Sequence, residues 1–466
     1  MSLVFESFLS TPEAIAAFDE RAVVQAMLDF EAALARAQAE EGVIPATAAA
    51  AIAGVCKAEL FDLPAIVGAS GRAGSLAIPL VKKLTETVAL FDAEAAGHVH
   101  WGSTSQDVID TALVIVTRRM LALIDRDLSS LIGALLDLAE RHGDAPVLGR
   151  TLLQPAQVVS LGFKAVEWIA PLVRSQQRLR HAGPPALRLQ LGGAVGTLAV
   201  MGDKAEAVVR RVAEALQLTP PAGAWHTQRD ELAGLACAVG VLTGTLGKIA
   251  KDIALMAQGE VGELAEPSGG GRGGSSAMPH KRNPVASMLA LAGALRTPQR
   301  VAALLAAMVQ EHERGLGNWQ AELAESAGLY IAAHGALKAL AEVAPALQVD
   351  APRMLRNIDA LQGLVFAEAV AMRLAGRIGK ARAHALLEQL SQHAVAQGRH
   401  LRELTLEALR DDDTLRGQFE PADVAALFDP AQAAQRAIAV ARPQLASLRQ
   451  TAQALSQSPP WSRWSQ

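Results

Sequence analysis

Ser275, Ser276, Lys281, Arg282 and Asn283 crowd into one short stretch of this 466-residue chain, behind five glycines grouped around Arg272. Glycine carries no Cβ, so residues 269–274 can turn backbone N–H groups inward and can move. Two hydroxyls, two cations and an amide on such a backbone suit an anionic substrate at which a proton is added or removed. A serine is a poor base in water. Such a hydroxyl becomes usable where loop N–H groups and a cation hold its oxyanion in a site that excludes water. A flexible linker would be Gly/Ser/polar throughout and would not end in a compact Met278-Pro279, Lys281, Asn283-Pro284 group.

A second group runs from His100 through Ser103, Thr104, Ser105 and Gln106 to Asp107, just ahead of a long helical pattern. Hydroxyls and free N–H groups at a helix N-terminus bind carboxylates well. The same residues serve as a cap, Ser105 closing the helix start and Asp107 favourable in its first turn. Both roles can hold together. Glu311 to Arg314 closes one helix before Gly315, and Trp225 to Asp230 opens another. Each reads as readily as a buried structural network as a contact to ligand.

Gly274 through Pro284 resembles the signature loop of the class II fumarase/aspartase superfamily, which holds argininosuccinate and adenylosuccinate lyases and the 3-carboxy-cis,cis-muconate cycloisomerases. The resemblance implies an all-α protein of three domains, with a central bundle of about five long helices that assembles into a tetrameric core. It also implies active sites shared between subunits. Catalysis falls by this resemblance to Ser275 and Lys281, with Asn283 beside Lys281 on the carboxylate that takes up charge and with Ser276 and Arg282 in contact with substrate. Residues 100–107 are similar to the His-x-Gly-x-Thr-Ser-x-Asp stretch of adenylosuccinate lyase-like members, which carries substrate contact to His100, Thr104 and Ser105. Glu311 to Arg314 resembles a His-Glu-Arg group of the same members and adds Arg314.

Residues 149–157 resemble a further region of the superfamily, Gly-x-Thr-His-x-Gln-x-Ala. Thr151 and Gln154 match it and are expected at the substrate. The histidine is replaced by Leu152. In the lyases that histidine is linked to general acid catalysis on the leaving group, a role leucine cannot fill. A carboxylate is the conjugate base of an acid with a pKa of about 4, so it departs or attacks without a proton. The expected reaction is therefore addition of a substrate carboxylate across its own double bond. That is lactonisation of 3-carboxy-cis,cis-muconate to 4-carboxymuconolactone, in the protocatechuate branch of aromatic degradation. The alternative is an adenylosuccinate lyase-like C–N lyase releasing fumarate.

The elements that must position these groups are helical. The chain is 51% hydrophobic with one tyrosine, a composition that favours packed helices over sheets. A helix is expected from Thr11-Pro12 over 12–41, others over 108–141, 155–180, 285–310 (bent near Pro298) and 318–345. Over 230–258, Leu232, Leu235, Val239, Leu242, Leu246, Ile249, Ile253 and Met256 keep an a/d register that suggests bundling on several sides, including across subunits. The expected domains are 1–107, 108–350 and 351–466, the last ending in a loose tail.

Net charge is −4, so no basic field points to nucleic acid or an anionic membrane. No 18-residue uncharged apolar run suggests a membrane span. The N-terminus lacks the basic region of a signal peptide, and Cys56 and Cys237 read as reduced core residues of a cytoplasmic protein. No cofactor is expected, because Gly192 to Gly196 is too short for the dinucleotide fingerprint and no phosphate-loop motif exists. No metal is expected either, because His98 and His100 lack a third ligand at useful spacing. The expected partners are a small tricarboxylate substrate and further copies of the chain.

Overall fold

The structure, a computed structural model, describes residues 3–269, 271–274, 278 and 280–457. Its centre is a bundle of five long helices behind an N-terminal helix α1 (Glu20–Glu40). They are α2 (Ser105–His142), α3 (Leu161–Ala186), α4 (Asp230–Met256), α5 (Val285–Ala306) and α6 (Asn318–Val343). Among the described residues the chain is all-α apart from two isolated bridges and two small antiparallel pairs. One is a hairpin of β1 (Pro146–Thr151) and β2 (Gln154–Ser160); the other joins β3 (Leu264–Ala265) to β4 (Gln348–Val349).

Two departures from the sequence expectation concern where helices begin. The helix expected over 12–41 is two helices, Pro12–Ala17 and α1, because the Asp19 side chain accepts from Ala22 N at 2.7 Å and starts a new helix. The helix expected over 155–180 starts only at Leu161, where Ser160 Oγ accepts from Phe163 N at 3.2 Å. Pro155 therefore marks a strand rather than a helix start. Opposite Arg150 in a short two-stranded ribbon it has no central ladder bond to spoil, and Val158 and Val159 favour the pleated surface.

The α4 register is buried within one chain. Leu235, Val239, Leu242, Leu246, Ile249, Ile253 and Met256 are buried and Leu232 partly so, against α3, α5 and α6. Small residues set the spacing: a Cβ on Gly247 would lie 2.6 Å from Ala294 Cβ, and one on Gly293 would lie 2.8 Å from Ala336 Cβ. Neighbours within the chain thus account for the register, which by itself does not require a partner subunit. Among the described residues α4 alone has the length and apolar composition to cross a membrane. Here it is a core helix of the bundle.

One continuous core joins α1 and the other N-terminal helices to the five-helix bundle. A second core gathers the shorter helices between Ile358 and Ile438 and takes in Leu148 and Val158 of the hairpin. The last helix, α7 (Pro430–Gln457), returns along α3 and ties the two together. The tail expected to be loose, 459–466, lies outside the described residues.

The hairpin turns through Leu152 and Leu153, both left-handed at φ 50° and 67°, and Leu152 is 97% exposed. Left-handed backbone costs a β-carbon-bearing residue roughly 1–2 kcal/mol, which is why Asn-Gly dominates such turns. Replacing the pair (L152N with L153G) should therefore stabilise the isolated fold by about 1–3 kcal/mol. The expected reading is a higher urea midpoint at unchanged slope; a lower midpoint would mean that packing, not strain, dominates at this tip.

Candidate active site

The start of α2 is built around one carboxylate. Asp107 is fully buried and accepts five hydrogen bonds. Its Oδ2 takes Thr104 N at 3.1 Å, Ser103 Oγ at 3.3 Å and Gly193 N at 2.9 Å; its Oδ1 takes Gly192 N at 3.0 Å and His226 Nε2 at 2.7 Å. The cap is Thr104, in extended backbone, and Ser105 is the first helical residue. This corrects the expectation that Ser105 caps. A carboxylate in the first turn also complements the helix dipole.

Positions 192 and 193 of the loop that donates to Asp107 are suited only to glycine. Gly193 is left-handed at φ 68°, and a Cβ on Gly192 would lie 2.4 Å from Ala224 Cβ. Arg314 holds the same loop from the other side, donating Nη2 to Gly193 O at 2.8 Å and to Ala194 O at 3.0 Å. Beneath it Arg229 is clamped between Asp110 and Glu322, with Trp319 Nε1 donating to Asp110 at 2.9 Å. Burial raises the Glu322 carboxyl above its usual range despite Arg229. The Trp225 to Asp230 stretch thus contributes a buried structural network that joins α2, α4 and α6.

His100 lies at the edge of this cluster in a left-handed conformation, φ 60°. Its Nδ1 is 2.6 Å from Glu31 Oε1 on α1. Burial pulls the imidazole down, but Glu31, by charge and hydrogen bond, and Asp107 pull it up further, so it titrates above the ordinary histidine range. Motif reading missed Glu31. The available signal was an acid between Met27 and Leu34 on the buried face of a helix.

Thr151 and Gln154 flank the hairpin tip, exposed and without a side-chain hydrogen bond to any described residue. Arg150 fixes the hairpin through a bidentate pair with the fully buried Glu263, at 2.9 and 2.7 Å, while Asn357 donates to the same carboxylate at 2.9 Å. The hairpin walls a cleft of about 580 Å³ whose lining includes Thr151, Lys164, Lys248 and Asp252. Burial, aided by Arg150, holds the Lys164 ammonium below its usual range.

Ser275 and Ser276 lie outside the described residues. The frame of their loop is clear. At its base Glu266 accepts from Ala286 N, Ser287 N and Ser287 Oγ at 2.7–2.9 Å, closing the start of α5. Asn283 N donates to Gly273 O at 2.9 Å, drawing the two sides of the loop together. Gly273 is left-handed at φ 72°, and a Cβ there would meet Asn283 O at 2.9 Å. Lys281 and Arg282 are exposed and Asn283 half-buried.

Among the described residues, the group at the start of α2 and the hairpin lie at opposite ends of that helix. His100, Thr104, Ser105 and Arg314 gather at the N-terminal end of α2, whereas Thr151 and Gln154 follow its C-terminal end. At 38 residues that helix spans about 57 Å. No hydrogen bond or ion pair among the described residues joins the first group to the hairpin or to 281–283. The described residues offer one cluster of metal-ligand types, Glu13, Asp127 and His334. Arg126 already pairs with both of its carboxylates and Lys338 with Asp127.

A family profile described as lyase matches residues 8–298, and one described as adenylosuccinate lyase C-terminus matches 363–442. The chain is 49% identical over 430 residues to 3-carboxy-cis,cis-muconate cycloisomerase of Bradyrhizobium diazoefficiens, covering 92% of this chain and 94% of the relative. It is 41% identical over 397 residues to nitrosuccinate lyase of Streptomyces davaonensis, covering 84% of each. The crystal structure of 3-carboxy-cis,cis-muconate lactonizing enzyme from Pseudomonas putida superposes with a TM-score of 0.90 at 43% identity, over 98% of this chain and 100% of that one.

Removing the Asp107 carboxylate (Asp107→Ala) strands a buried histidine and four other donors. It should lower stability by about 3–5 kcal/mol and loosen the 192–194 loop. Hydrogen exchange at Gly192 and Gly193 checks this; unchanged protection there would mean the loop is held by Arg314 alone.

Proposed function

We propose, on the premise that this chain belongs to the class II fumarase/aspartase superfamily, that it is a cycloisomerase which lactonises 3-carboxy-cis,cis-muconate to 4-carboxymuconolactone. One observation carries the choice of reaction. Where lyases of the superfamily present an acid to a leaving group, this chain presents Leu152 at the tip of a hairpin, with Leu153 beside it. The relatives named as cycloisomerases support the same reading.

In the forward direction a carboxylate oxygen of the substrate bonds to an alkene carbon of the same molecule. The electron pair of that alkene moves toward the neighbouring carbon, which lies next to another carboxylate, and an enolate-like dianion develops. Lys281 and Asn283 face that charge. Ser275 delivers its hydroxyl proton to the carbon, and its alkoxide, held by loop N–H groups and Lys281, regains a proton from solvent. No atom is lost, so no leaving group needs an acid. The remaining carboxylates fall to His100, Thr104 and Ser105 and to Thr151 and Gln154, with Ser276, Arg282 and Arg314 bordering the site.

The assignment requires residues from both ends of α2, so we take the site to be completed by other copies of the chain in a homotetramer. Exposed Met288, Leu295 and Leu305 on α5 and Val241 on α4 give an apolar surface for that association. The reading keeps the chain in the cytoplasm, in line with its free cysteines. It also keeps the domains at 1–107, 108–350 and 351–466. A second reading, a C–N lyase releasing fumarate, has one observation in its favour: His100 is an imidazole raised by Glu31 and able to donate a proton.

Ser275→Ala should cut lactonisation, followed by ultraviolet absorbance, by several orders of magnitude with assembly intact. Retention of more than roughly a tenth of turnover, under ~1.4 kcal/mol of barrier, would take Ser275 out of proton transfer. Lys281→Met should raise KM and lower kcat together, because the cation meets charge that grows along the reaction. A rise in KM at constant kcat would instead indicate uniform binding.

A further inference from the structure

We infer that Glu31 is a positioning residue for this reaction: it fixes the His100 ring and makes it a cation against which one substrate carboxylate seats. The inference rests on the reading of the chain as a tricarboxylate cycloisomerase, and it assigns a role to a residue outside every motif of the sequence.

Glu31 is 1% exposed. Its Oε1 holds His100 Nδ1 at 2.6 Å, while its Oε2 is buried without a hydrogen-bond partner. A carboxylate buried with so little support is costly unless a cation compensates it. The imidazole is the group in place to do so. The charged groups that face His100 are Glu31 from α1 and Asp107 from the first turn of α2, both acids, so both favour the imidazolium. Asp107 is already occupied by five donors. Glu31 is therefore the direct partner.

Geometry adds direction to charge. With Nδ1 committed to Glu31, Nε2 is the ring nitrogen left for a ligand, and it makes no hydrogen bond to a described residue. The side chain is 18% exposed, four residues before the Thr104 cap of α2. Left-handed backbone at a non-glycine residue persists where its surroundings hold it and concentrates at functional sites. The short contact to Glu31 supplies such a hold. An imidazolium just ahead of a helix N-terminus is a carboxylate receptor.

Glu31→Gln tests this, because it keeps shape and an acceptor while removing the charge. In the wild type kcat/KM for 3-carboxy-cis,cis-muconate should fall as pH rises through the raised imidazole value. In E31Q the falling limb should lie roughly 1–2 pH units lower. At slightly alkaline pH, KM should then be about tenfold higher, with a smaller change in kcat. The same downward shift should show in the ¹³C-histidine NMR titration of His100, identified by the signal lost in His100→Gln. A uniform loss of activity at every pH with an unmoved His100 titration would reduce Glu31 to a packing role and overturn the inference. So would an unchanged pH profile. If the wild type forms no lactone, the reading of the reaction fails, and the NMR titration alone then decides whether Glu31 sets the charge on His100.

Discussion

The buried carboxylate of Asp107 ties three separate segments to the N-terminus of α2: the 103–104 turn, the 192–193 glycine loop and His226 ahead of α4. Five donors on one carboxyl group compensate its burial. The rest of the local architecture hangs from that point. With the 192–194 loop fixed, Arg314 has carbonyls to grip. With His226 fixed, Arg229 enters the helix bundle between Asp110 and Glu322. With the turn fixed, Thr104 and Ser105 lie at the positive end of the longest helix in the chain, where carboxylates are favoured.

That longest helix also sets the logic of assembly. It spans about 57 Å between the 104–105 cap and the hairpin end, too far for one substrate to touch both ends. Arg150 and Glu263 anchor the hairpin near the end of α4 that leads into the signature loop. Two of the three chemical groups therefore lie toward one end of the bundle and the third at the other. In the proposed homotetramer an antiparallel arrangement of copies would bring opposite ends together, so that a rigid bundle serves a site shared between chains.

Much of this was legible in the residues. The signature loop could be read directly from Gly274 to Pro284, and the five long helices from their apolar periodicity. Pro155 misled because proline marks strand edges as well as helix starts, and only the cap at Ser160 separates the two. The α4 register suggested contact across subunits, yet its stripe is satisfied by neighbours in the same chain, because Gly247 and Gly293 let α5 approach. Glu31 was not legible from motifs. Its partner lies 69 positions away, and only the packing of α1 against the 98–104 turn brings the two together. Ser275 and Ser276 stand on the sequence alone, since their placement lies outside the described residues.

The chemistry then turns on an absence of proton donors at one place and their presence at another. The leucines at the hairpin tip cannot donate a proton to a departing amine, while in the proposed mechanism the serine loop delivers a proton to carbon. A positioned acid typically contributes about 10²–10⁴-fold, so its loss should separate the two reactions cleanly. The direct measurement is turnover of the purified protein on 3-carboxy-cis,cis-muconate and adenylosuccinate side by side, followed by ultraviolet absorbance. This account predicts rapid lactonisation of the first and negligible cleavage of the second. Brisk cleavage of adenylosuccinate, abolished by His100→Ala, would contradict it and make His100 the acid of a lyase.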